Sequence, residues 1–291
     1  HCGFKPIFAD IDLNTLGMNT DLIISKINKN TRAVFLSYIQ GFNCLTDKLL
    51  HNLKKKKIYL IEDVCESHGA KFKSKKLGSY GWTSSFSFYY AHHISTIEGG
   101  MVNVNDKKLY DMLLMLRSHG WAKDLDQETY SSMMDKYGID DFHSPFTFFV
   151  AGYNLRSTDL QAFLGIRQIK KAEWASTQRN KNHLLYAEKL KGYVEFQDWG
   201  ENNPVSISFG AIADSTEHRR EIVNRLVENG IETRIYSAGN LGRHPFWTDL
   251  YEEYREEQSD KIHSRGFFIP NYPELTEEEI DFICKVVKGE L

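Results

Sequence analysis

Apolar and polar residues alternate along the chain in two periods, one typical of strands and the other of helices. Two continuous apolar runs, 33–39 and 58–61, are typical of strands that are buried on both faces of a sheet. Further short strands are expected over residues 4–8, 84–89 and 101–104. Apolar residues at helical spacing predict helices over residues 20–27, 47–57 and 106–119. Because strands alternate with helices, the pattern predicts an α/β sheet with helices on both faces.

The second part of the chain predicts a smaller α/β unit. It opens with one long helical region, 157–191, in which Thr158 to Gln161 form a capping box. A second capping box begins at Thr276. The remaining elements are expected as strands over 205–213 and 232–236 and as helices over 216–229 and 276–288. We therefore expect a large domain over residues 1–180 and a small C-terminal domain over residues 181–291.

Composition and charge exclude several classes of function. The chain is 41% hydrophobic and 26% charged, and it contains no run of 18 apolar residues, so we expect a globular protein without a membrane span. A net charge of -3 provides no general attraction to nucleic acid or to anionic membranes. The four cysteines are too scattered for a zinc or iron–sulfur site, so no metal is expected, and they indicate a reducing, cytoplasmic compartment.

Polar residues at the carboxyl ends of the predicted strands are the first candidates for chemistry, because ligands of open α/β sheets bind there. Asp63 ends an apolar strand and is suited to a cationic ligand nitrogen; the alternatives are a helix cap or a salt bridge. Glu66 follows within one turn and is suited to a ligand hydroxyl. Ser87, near the end of another strand, is a candidate for binding a phosphate oxygen.

Two adjacent histidines, His92 and His93, follow the strand that contains Ser87. Neighbouring residues of an extended segment point in opposite directions, so at most one of them is expected to face a site. A neutral imidazole is suited to proton transfer near pH 7, whereas the alternative is a purely structural role. The glycines of Glu98-Gly99-Gly100 are expected to permit a turn with positive φ.

Four segments resemble the DegT/DnrJ/EryC1/StrS family of sugar aminotransferases in both order and spacing. They are IEDVCESHGAKFKSKKLGSYG (61–81), FSFYYAHHISTIEGGMVNVND (86–106), LRSHG (116–120) and AGYNLRSTDLQAFLG (151–165). The resemblance implies pyridoxal 5'-phosphate (PLP) as cofactor and an aspartate-aminotransferase-like fold. That fold has a large mixed-sheet domain and a small C-terminal α/β domain. It also implies that about a quarter of the protein, including a phosphate-binding helix N-terminus, precedes residue 1.

Within this family the lysine that holds PLP lies five residues after the strand serine, and here His92 occupies that position. Imidazole does not hold PLP covalently as lysine does. Histidine at this point is typical of the family's sugar 3-dehydratases. Segments 92–101 and 238–247 resemble the branch that acts on GDP-4-keto-6-deoxymannose in the colitose pathway of lipopolysaccharide O-antigen. Residues 93–150 contain no cysteine, unlike the CDP-sugar branch with its iron–sulfur cluster.

The resemblance also implies roles for individual residues. Asp63 would pair with the pyridine nitrogen of the cofactor, Glu66 would contact its ring hydroxyl, and Ser87 would bind its phosphate. Asn154 would reach the phosphate in a neighbouring subunit, which implies a homodimer with shared sites. His92 would be the base.

The implied reaction has two halves. L-Glutamate supplies the amino group that converts PLP to pyridoxamine phosphate (PMP), and His92 then removes a proton so that the C3 hydroxyl of the sugar leaves. Arg234 and His244 are candidates for the phosphates of the sugar nucleotide, or they lie on the surface. Phe142 and Phe146 are candidates for covering the partner subunit's site.

Two other functions remain open at the level of sequence. One is a sugar aminotransferase with a relocated lysine, although no lysine lies between Lys76 and Lys107. The other is a non-catalytic relative in which the missing lysine marks lost activity. A decayed site is expected to lose several cofactor contacts, whereas here only the lysine is replaced.

Overall fold

The structure, a computed structural model, describes residues 2–197, 205–236 and 238–291. Its strands are β1 (Ala33–Ser37), β2 (Tyr59–Asp63), β3 (Lys71–Phe72), β4 (Lys75–Lys76), β5 (Thr83–Ser87), β6 (Gly100–Val104), β7 (Ser208–Ile212), β8 (Arg234–Ile235) and β9 (Gly266–Pro270). Its α-helices are α1 (Thr20–Lys26), α2 (Asp47–Lys56), α3 (Lys107–Arg117), α4 (Gln127–Tyr137), α5 (Asp159–Ile169), α6 (Ala172–Leu190), α7 (Thr216–Glu228), α8 (Pro245–Thr248), α9 (Glu257–Arg265) and α10 (Glu277–Lys288).

The first sheet is mixed, with strand order β1-β2-β5-β6. Strands β1, β2 and β5 run parallel, and β6 is antiparallel to β5. Alternate side chains such as Leu36 and Leu60 are buried in one cluster with Leu49 and Leu53 of α2. On the opposite face Phe35 is 54% exposed. The prediction that β1 and β2 are buried on both faces is therefore wrong for the described residues, in which α1 and α2 cover one face.

The second sheet is antiparallel, with strand order β7-β9-β8. Apolar residues of β7 and β9 form its core together with helices α6, α7 and α10. This core includes the buried side chains Tyr186, Leu190, Phe209, Ile222, Leu226, Phe267, Ile269, Ile280 and Val287. The central strand, β9, lies in a segment for which the sequence pattern predicted no strand.

The long helical region expected over 157–191 is two helices, α5 and α6, which meet at Lys170 and Lys171. Both predicted capping boxes are confirmed, at Thr158 before α5 and at Thr276 before α10. The expected domain boundary near residue 180 falls inside α6, whose C-terminal half packs in the core of the second sheet. That boundary stays a prediction.

The strand expected at residues 4–8 is absent from the described residues, which have no regular structure there. Phe8 instead packs its ring on Trp247 at 4.3 Å between centroids and near Tyr254 at 5.4 Å. Aromatic packing against the region of α8 therefore accounts for an apolar pattern that resembled a strand. No helix in the described part of the chain is long and apolar enough to cross a membrane.

Candidate active site

The register of the first sheet brings Asp63 and Ser87 to the same face at the carboxyl ends of parallel strands. Asp63 pairs with Ser85 across β2 and β5, and Ser87 lies two residues further along β5. The Asp63 carboxylate accepts a hydrogen bond from Ser37 Oγ at 3.2 Å and another from the Cys65 backbone N–H at 3.1 Å. Both donors are neutral, so neither forms an ion pair with the carboxylate, which is suited to a cationic ligand at this edge.

Glu66 lies in the turn after β2, where it accepts a hydrogen bond from the Gln40 backbone N–H at 3.0 Å. Gln40 has φ 56° and Gly41 has φ 80°, so both adopt the left-handed region. For Gln40 this conformation is unusual and costs free energy. The contact with Glu66 therefore joins the turn after β1 to the turn after β2.

His92 lies in the turn after β5, where its backbone N–H donates to the Tyr89 carbonyl at 3.0 Å. Its ring is half-buried, and Nδ1 is buried without a hydrogen-bond partner among the described residues. Burial lowers the pKa of His92 below its ordinary value; the negative charge of Asp63 opposes this shift and the positive charge of Arg179 adds to it. The imidazole is therefore neutral at pH 7 and able to accept a proton.

His93 points into different surroundings, as its adjacency to His92 predicted. Its ring is 8% exposed, and its Nε2 lies 2.6 Å from the Val205 carbonyl oxygen. It stacks on His68 with the ring centroids 5.2 Å apart. Burial lowers the pKa of His93 well below its ordinary value and that of His68 to about 4. Both side chains are therefore neutral parts of the core beside His92.

The turn that joins β5 to β6 differs in detail from the expectation. Positive φ occurs at Ile97 (φ 72°) and not at Gly99 or Gly100. Glycine is needed at position 99 for space, because a Cβ there would lie 2.3 Å from Thr96 Oγ1. Gln161 of α5 donates to the Glu98 carbonyl at 2.6 Å, which ties this turn to the helix.

Arg234 is the predicted substrate residue that the structure brings to the site. Its guanidinium pairs with Glu232 at 2.6 Å, and the pKa of Arg234 is raised by Glu232 and, to a smaller extent, by Tyr90, two residues before His92. His244, the other candidate, is half-buried, and its Nε2 lies 2.7 Å from the Ala238 carbonyl oxygen. The described contacts join Arg234, and not His244, to the turn that carries His92.

The three remaining predicted residues lie on the exposed surface. Asn154 forms an antiparallel bridge with Ser118. Phe142 is 88% exposed and Phe146 is 74% exposed, both in the segment between α4 and α5. Exposure of large aromatic rings is the state expected of side chains that contact another molecule. Their roles toward a neighbouring subunit stay predictions.

The sequence analysis missed two charged residues that organise the site. Glu62 is fully buried next to Asp63 and accepts hydrogen bonds from Tyr38 Oη at 2.7 Å and from the Gly78 and Tyr80 backbone N–H groups. Arg179 of α6 is 6% exposed. Two signals in the sequence could have identified them. Strand alternation places Glu62 on the face opposite to Asp63, and Arg179 is a cation at a core position of a helix.

The fold is that of the PLP-dependent aminotransferases, as predicted. A solved structure of GDP-4-keto-6-deoxymannose-3-dehydratase with a trapped PLP-glutamate geminal diamine superimposes with a TM-score of 0.86 at 28% identity. The match covers 96% of this chain and 74% of that chain. The family model of the DegT/DnrJ/EryC1/StrS aminotransferase family matches residues 1–288. The chain belongs to that family.

Two curated relatives are similar over almost the whole chain. GDP-4-keto-6-deoxy-D-mannose 3-dehydratase of Escherichia coli O55:H7 is 31% identical over 98% of this chain and 75% of its own length. GDP-perosamine synthase of Escherichia coli O157:H7 is 28% identical over 99% of this chain and 74% of its own length. The family is therefore certain from sequence, whereas these two names differ in the reaction that they describe.

The described residues fit PLP, which carries a protonated ring nitrogen, a ring hydroxyl and a phosphate. Asp63 offers a carboxylate with neutral donors only, Glu66 a second carboxylate, and Ser87 a hydroxyl at the end of β5. The His92 ring, whose Nδ1 is buried without a partner among the described residues, lies near enough to Asp63 for that charge to influence its pKa. No group of three or more His, Cys, Asp or Glu side chains in the described part of the chain is arranged to hold a metal ion.

Proposed function

We propose that the protein is a PLP/PMP-dependent 3-dehydratase that removes the C3 hydroxyl of a nucleotide-linked 4-keto-6-deoxyhexose. GDP-4-keto-6-deoxymannose is the proposed substrate, and L-glutamate is the proposed amino donor. One observation carries the proposal: a neutral, half-buried imidazole, that of His92, occupies the position at which the family has its PLP-binding lysine. The names of the relatives support it, as does the PLP-glutamate adduct in one of their structures.

The residues at the edge of the first sheet would hold and orient the cofactor. Asp63 would keep the ring nitrogen protonated, Glu66 would contact the ring hydroxyl, and Ser87 would bind the phosphate. The bound cofactor supplies an electron sink for the carbon next to its nitrogen. A charge-assisted hydrogen bond from that ring nitrogen to Asp63 is stronger than a neutral one, so Asp63 would contribute most to this orientation.

His92 would move the proton on which the reaction depends. Its pKa lies below the ordinary value, so the ring is neutral at pH 7 and one of its two nitrogens carries a lone pair for the incoming proton. Partial burial limits the access of water, which would otherwise compete for the same proton. The loss of the C3 hydroxyl would follow from this transfer.

The absence of a nearby lysine explains why this reaction would be dehydration and not amination. The sequence contains no lysine between Lys76 and Lys107, so no amine at this turn competes for the aldehyde of the cofactor. The amino group then need not remain on the sugar, and hydrolysis releases ammonia. The product would be a 3-deoxy-4-keto sugar.

The proposal extends to the assembly and the setting of the enzyme. We expect a homodimer in which Asn154 reaches the partner's cofactor phosphate and Phe142 and Phe146 cover the partner's site. Arg234, held beside Tyr90, would bind a phosphate of the sugar nucleotide. The enzyme would act in the cytoplasm, in the colitose branch of O-antigen and lipopolysaccharide synthesis.

A second candidate is a nucleotide-sugar aminotransferase. The similarity to GDP-perosamine synthase, at 28% identity, and membership in an aminotransferase family favour it. It requires a lysine from another part of the chain at the cofactor aldehyde.

The variant His92→Asn tests the proposed function. It removes the base while keeping a polar side chain of similar reach, so dehydration is expected to fall by at least about 100-fold. PMP binding, followed by the absorbance of the cofactor, is expected to remain. Dehydration at the wild-type rate in this variant would show that His92 is not the base. Loss of the bound cofactor would show that its main role is in binding.

A further inference from the structure

Three consecutive backbone carbonyls, those of residues 205–207, are each bound by a side chain from a different part of the fold. His93 Nε2 lies 2.6 Å from the Val205 oxygen. Asn271 Nδ2, just after β9, donates to the Ser206 oxygen at 3.0 Å. Arg179 Nη1, in α6, donates to the Ile207 oxygen at 2.8 Å. We call residues 205–207 the anchor segment.

Further contacts fix the anchor segment in place. Arg179 Nη1 also donates to the Asn271 carbonyl at 2.6 Å, and Asn271 Nδ2 also donates to the Arg179 carbonyl at 3.2 Å. On another side, the backbone of Val205 approaches Gly41 so closely that a Cβ at position 41 would lie 2.4 Å from the Val205 oxygen. The segment is therefore held by the site turn at Gly41, by α6 and by the end of β9.

The imidazole of His93 connects this fixed segment to the turn that carries His92. A carbonyl oxygen only accepts, so the contact with Val205 requires a proton on Nε2 of His93 and leaves its Nδ1 unprotonated. Stacking on His68 at 5.2 Å fixes the plane of the ring. His92 and His93 share a peptide bond, so an immobile His93 restricts the positions that the His92 ring can take.

We propose that His93 is a positioning residue for His92, which holds the base in place through its hydrogen bond to the anchor segment. This inference rests on the proposed function, in which His92 is the base. The two adjacent histidines then have different roles. The His92 ring transfers the proton, and the His93 ring holds His92 in position. A misplacement of a reacting group by about 1 Å can cost about 100-fold in rate, which is the scale of effect expected here.

The same anchor also keeps the His92 ring out of water. If His93 lost its contact with the anchor segment, the His92 ring would become more exposed. The pKa of His92 would then rise toward 6.5, because burial is the main cause of its low value. The charged and titratable groups that act on the His92 ring or on its neighbour are Asp63 at the end of β2, His68 after β2, His93, and Arg179 of α6. Tyr89 also faces the His92 ring, with 6.0 Å between the ring centroids.

Two variants of the full chain separate the hydrogen bond from the volume of the side chain. His93→Leu removes the donor and keeps an apolar side chain of similar bulk. His93→Gln keeps an N–H donor at a reach similar to that of Nε2. We expect His93→Leu to lower kcat by about 100-fold while KM changes by less than about threefold. We expect the kcat of His93→Gln to be at least about tenfold higher than that of His93→Leu.

A second readout needs neither cofactor nor activity. In protein labelled with 15N-histidine, NMR distinguishes the tautomers of each ring and follows its titration. We expect His93 with the proton on Nε2 at pH 7. We expect the midpoint of the His92 titration to lie below 6.5 in the wild type, to move toward 6.5 in His93→Leu and to return in His93→Gln.

A matched control separates positioning from simple loss of stability. Leu226→Ala empties a buried position in the core of the second sheet, away from His92, and is expected to lower the unfolding temperature without changing kcat below that temperature. An unchanged titration of His92 in His93→Leu, or a Gln variant no better than the Leu variant, would overturn the positioning role. If the wild type fails to dehydrate the sugar, the proposed function fails while the NMR result still decides the role of His93.

Discussion

In the proposed function, His92 is the side chain that distinguishes dehydration from amination on the scaffold of this family. Asp63, Glu66 and Ser87 are the residues that we propose hold PLP beside it, and the parallel register of β2 and β5 places Asp63 and Ser87 on one face. An imidazole at the lysine position transfers protons and forms no lasting bond to the aldehyde. The difference between amination and deoxygenation would therefore lie in this single residue.

Asp63 carries the clearest prediction for cofactor binding. Asp63→Ala removes the carboxylate that would bind the ring nitrogen, so we expect the affinity for PMP to fall by about 10- to 100-fold, since a hydrogen bond to a charged group contributes about 1.5–3 kcal/mol. Titration of the protein with PMP, followed by absorbance, measures this.

The matched control is Asp47→Ala, which removes an exposed carboxylate that pairs with Lys73. This variant is expected to bind PMP as the wild type does. Equal affinity in the Asp63 variant and the control would rule out Asp63 as the partner of the ring nitrogen.

At the scale of single residues the sequence identified strand ends as the candidate site, and the structure places Asp63 and Ser87 on one face there. The strand ends led directly to Asp63 and Ser87, because ligand sites of α/β sheets follow from topology. The buried partners of the site, Arg179 and the anchor segment, were not predictable, because hydrogen bonds from side chains to distant carbonyls leave no periodic pattern. The role of His244 toward the substrate stays a prediction, and its Nε2 lies 2.7 Å from the Ala238 carbonyl oxygen.

The elements follow the sequence wherever a local signal defines their ends. Both predicted capping boxes occur, and α4 ends at Gly138 with φ 64°. The break between α5 and α6 had no such signal, because Lys170 and Lys171 are ordinary helix formers. Strand β9 was missed because its apolar run is short and its position in the sheet depends on pairing with β7 and β8.

Helix α10 offers a test of the capping box. Thr276 accepts a hydrogen bond from the Glu279 backbone N–H at 3.2 Å, and the Glu279 side chain accepts one from the Thr276 N–H at 2.8 Å. Thr276→Ala is expected to lower the free energy of unfolding by about 1 kcal/mol, as measured by urea denaturation.

The control for this change is Thr177→Ala, within α6, where the hydroxyl donates to the Glu173 carbonyl at 2.9 Å. Alanine has the higher helix propensity, so this variant is expected to be neutral or slightly stabilising. A loss of stability as large at Thr177 as at Thr276 would contradict the capping account.

Several histidines are buried in the molecule as a whole, and this makes its stability depend on pH. His183 is 1% exposed, between Phe42 and Phe209, and burial lowers its pKa to about 3. Below pH 6.5 the unfolded chain binds a proton at this residue that the native state does not. The free energy of unfolding therefore falls, by about 1.4 kcal/mol per pH unit for each such histidine, as the pH decreases from 6.5.

The variant His183→Gln removes one of these groups. Between pH 6 and 5 its stability is expected to decrease less steeply than that of the wild type, by about 1.4 kcal/mol per pH unit. Thr177→Ala, which removes no titratable group, is expected to leave the slope unchanged. Equal slopes for the wild type and the His183 variant, measured by denaturation at both pH values, would contradict the assignment of a low pKa.

At the scale of the whole molecule, two sheets meet at the site. The first sheet provides the expected cofactor residues, and the second reaches them through the anchor segment and through Arg234. The sequence predicted both units, because each has its own alternation of strands and helices. It did not predict their contact, which depends on side chains from α6 and from the end of β9.

The most direct test of the proposed function is the mass of the sugar product. The protein is incubated with PLP, L-glutamate and GDP-4-keto-6-deoxymannose, and the nucleotide sugar is analysed by mass spectrometry. A 3-dehydratase gives a product that has lost the C3 oxygen and carries no nitrogen. A product that carries an amino group and keeps that oxygen would contradict the account and identify an aminotransferase.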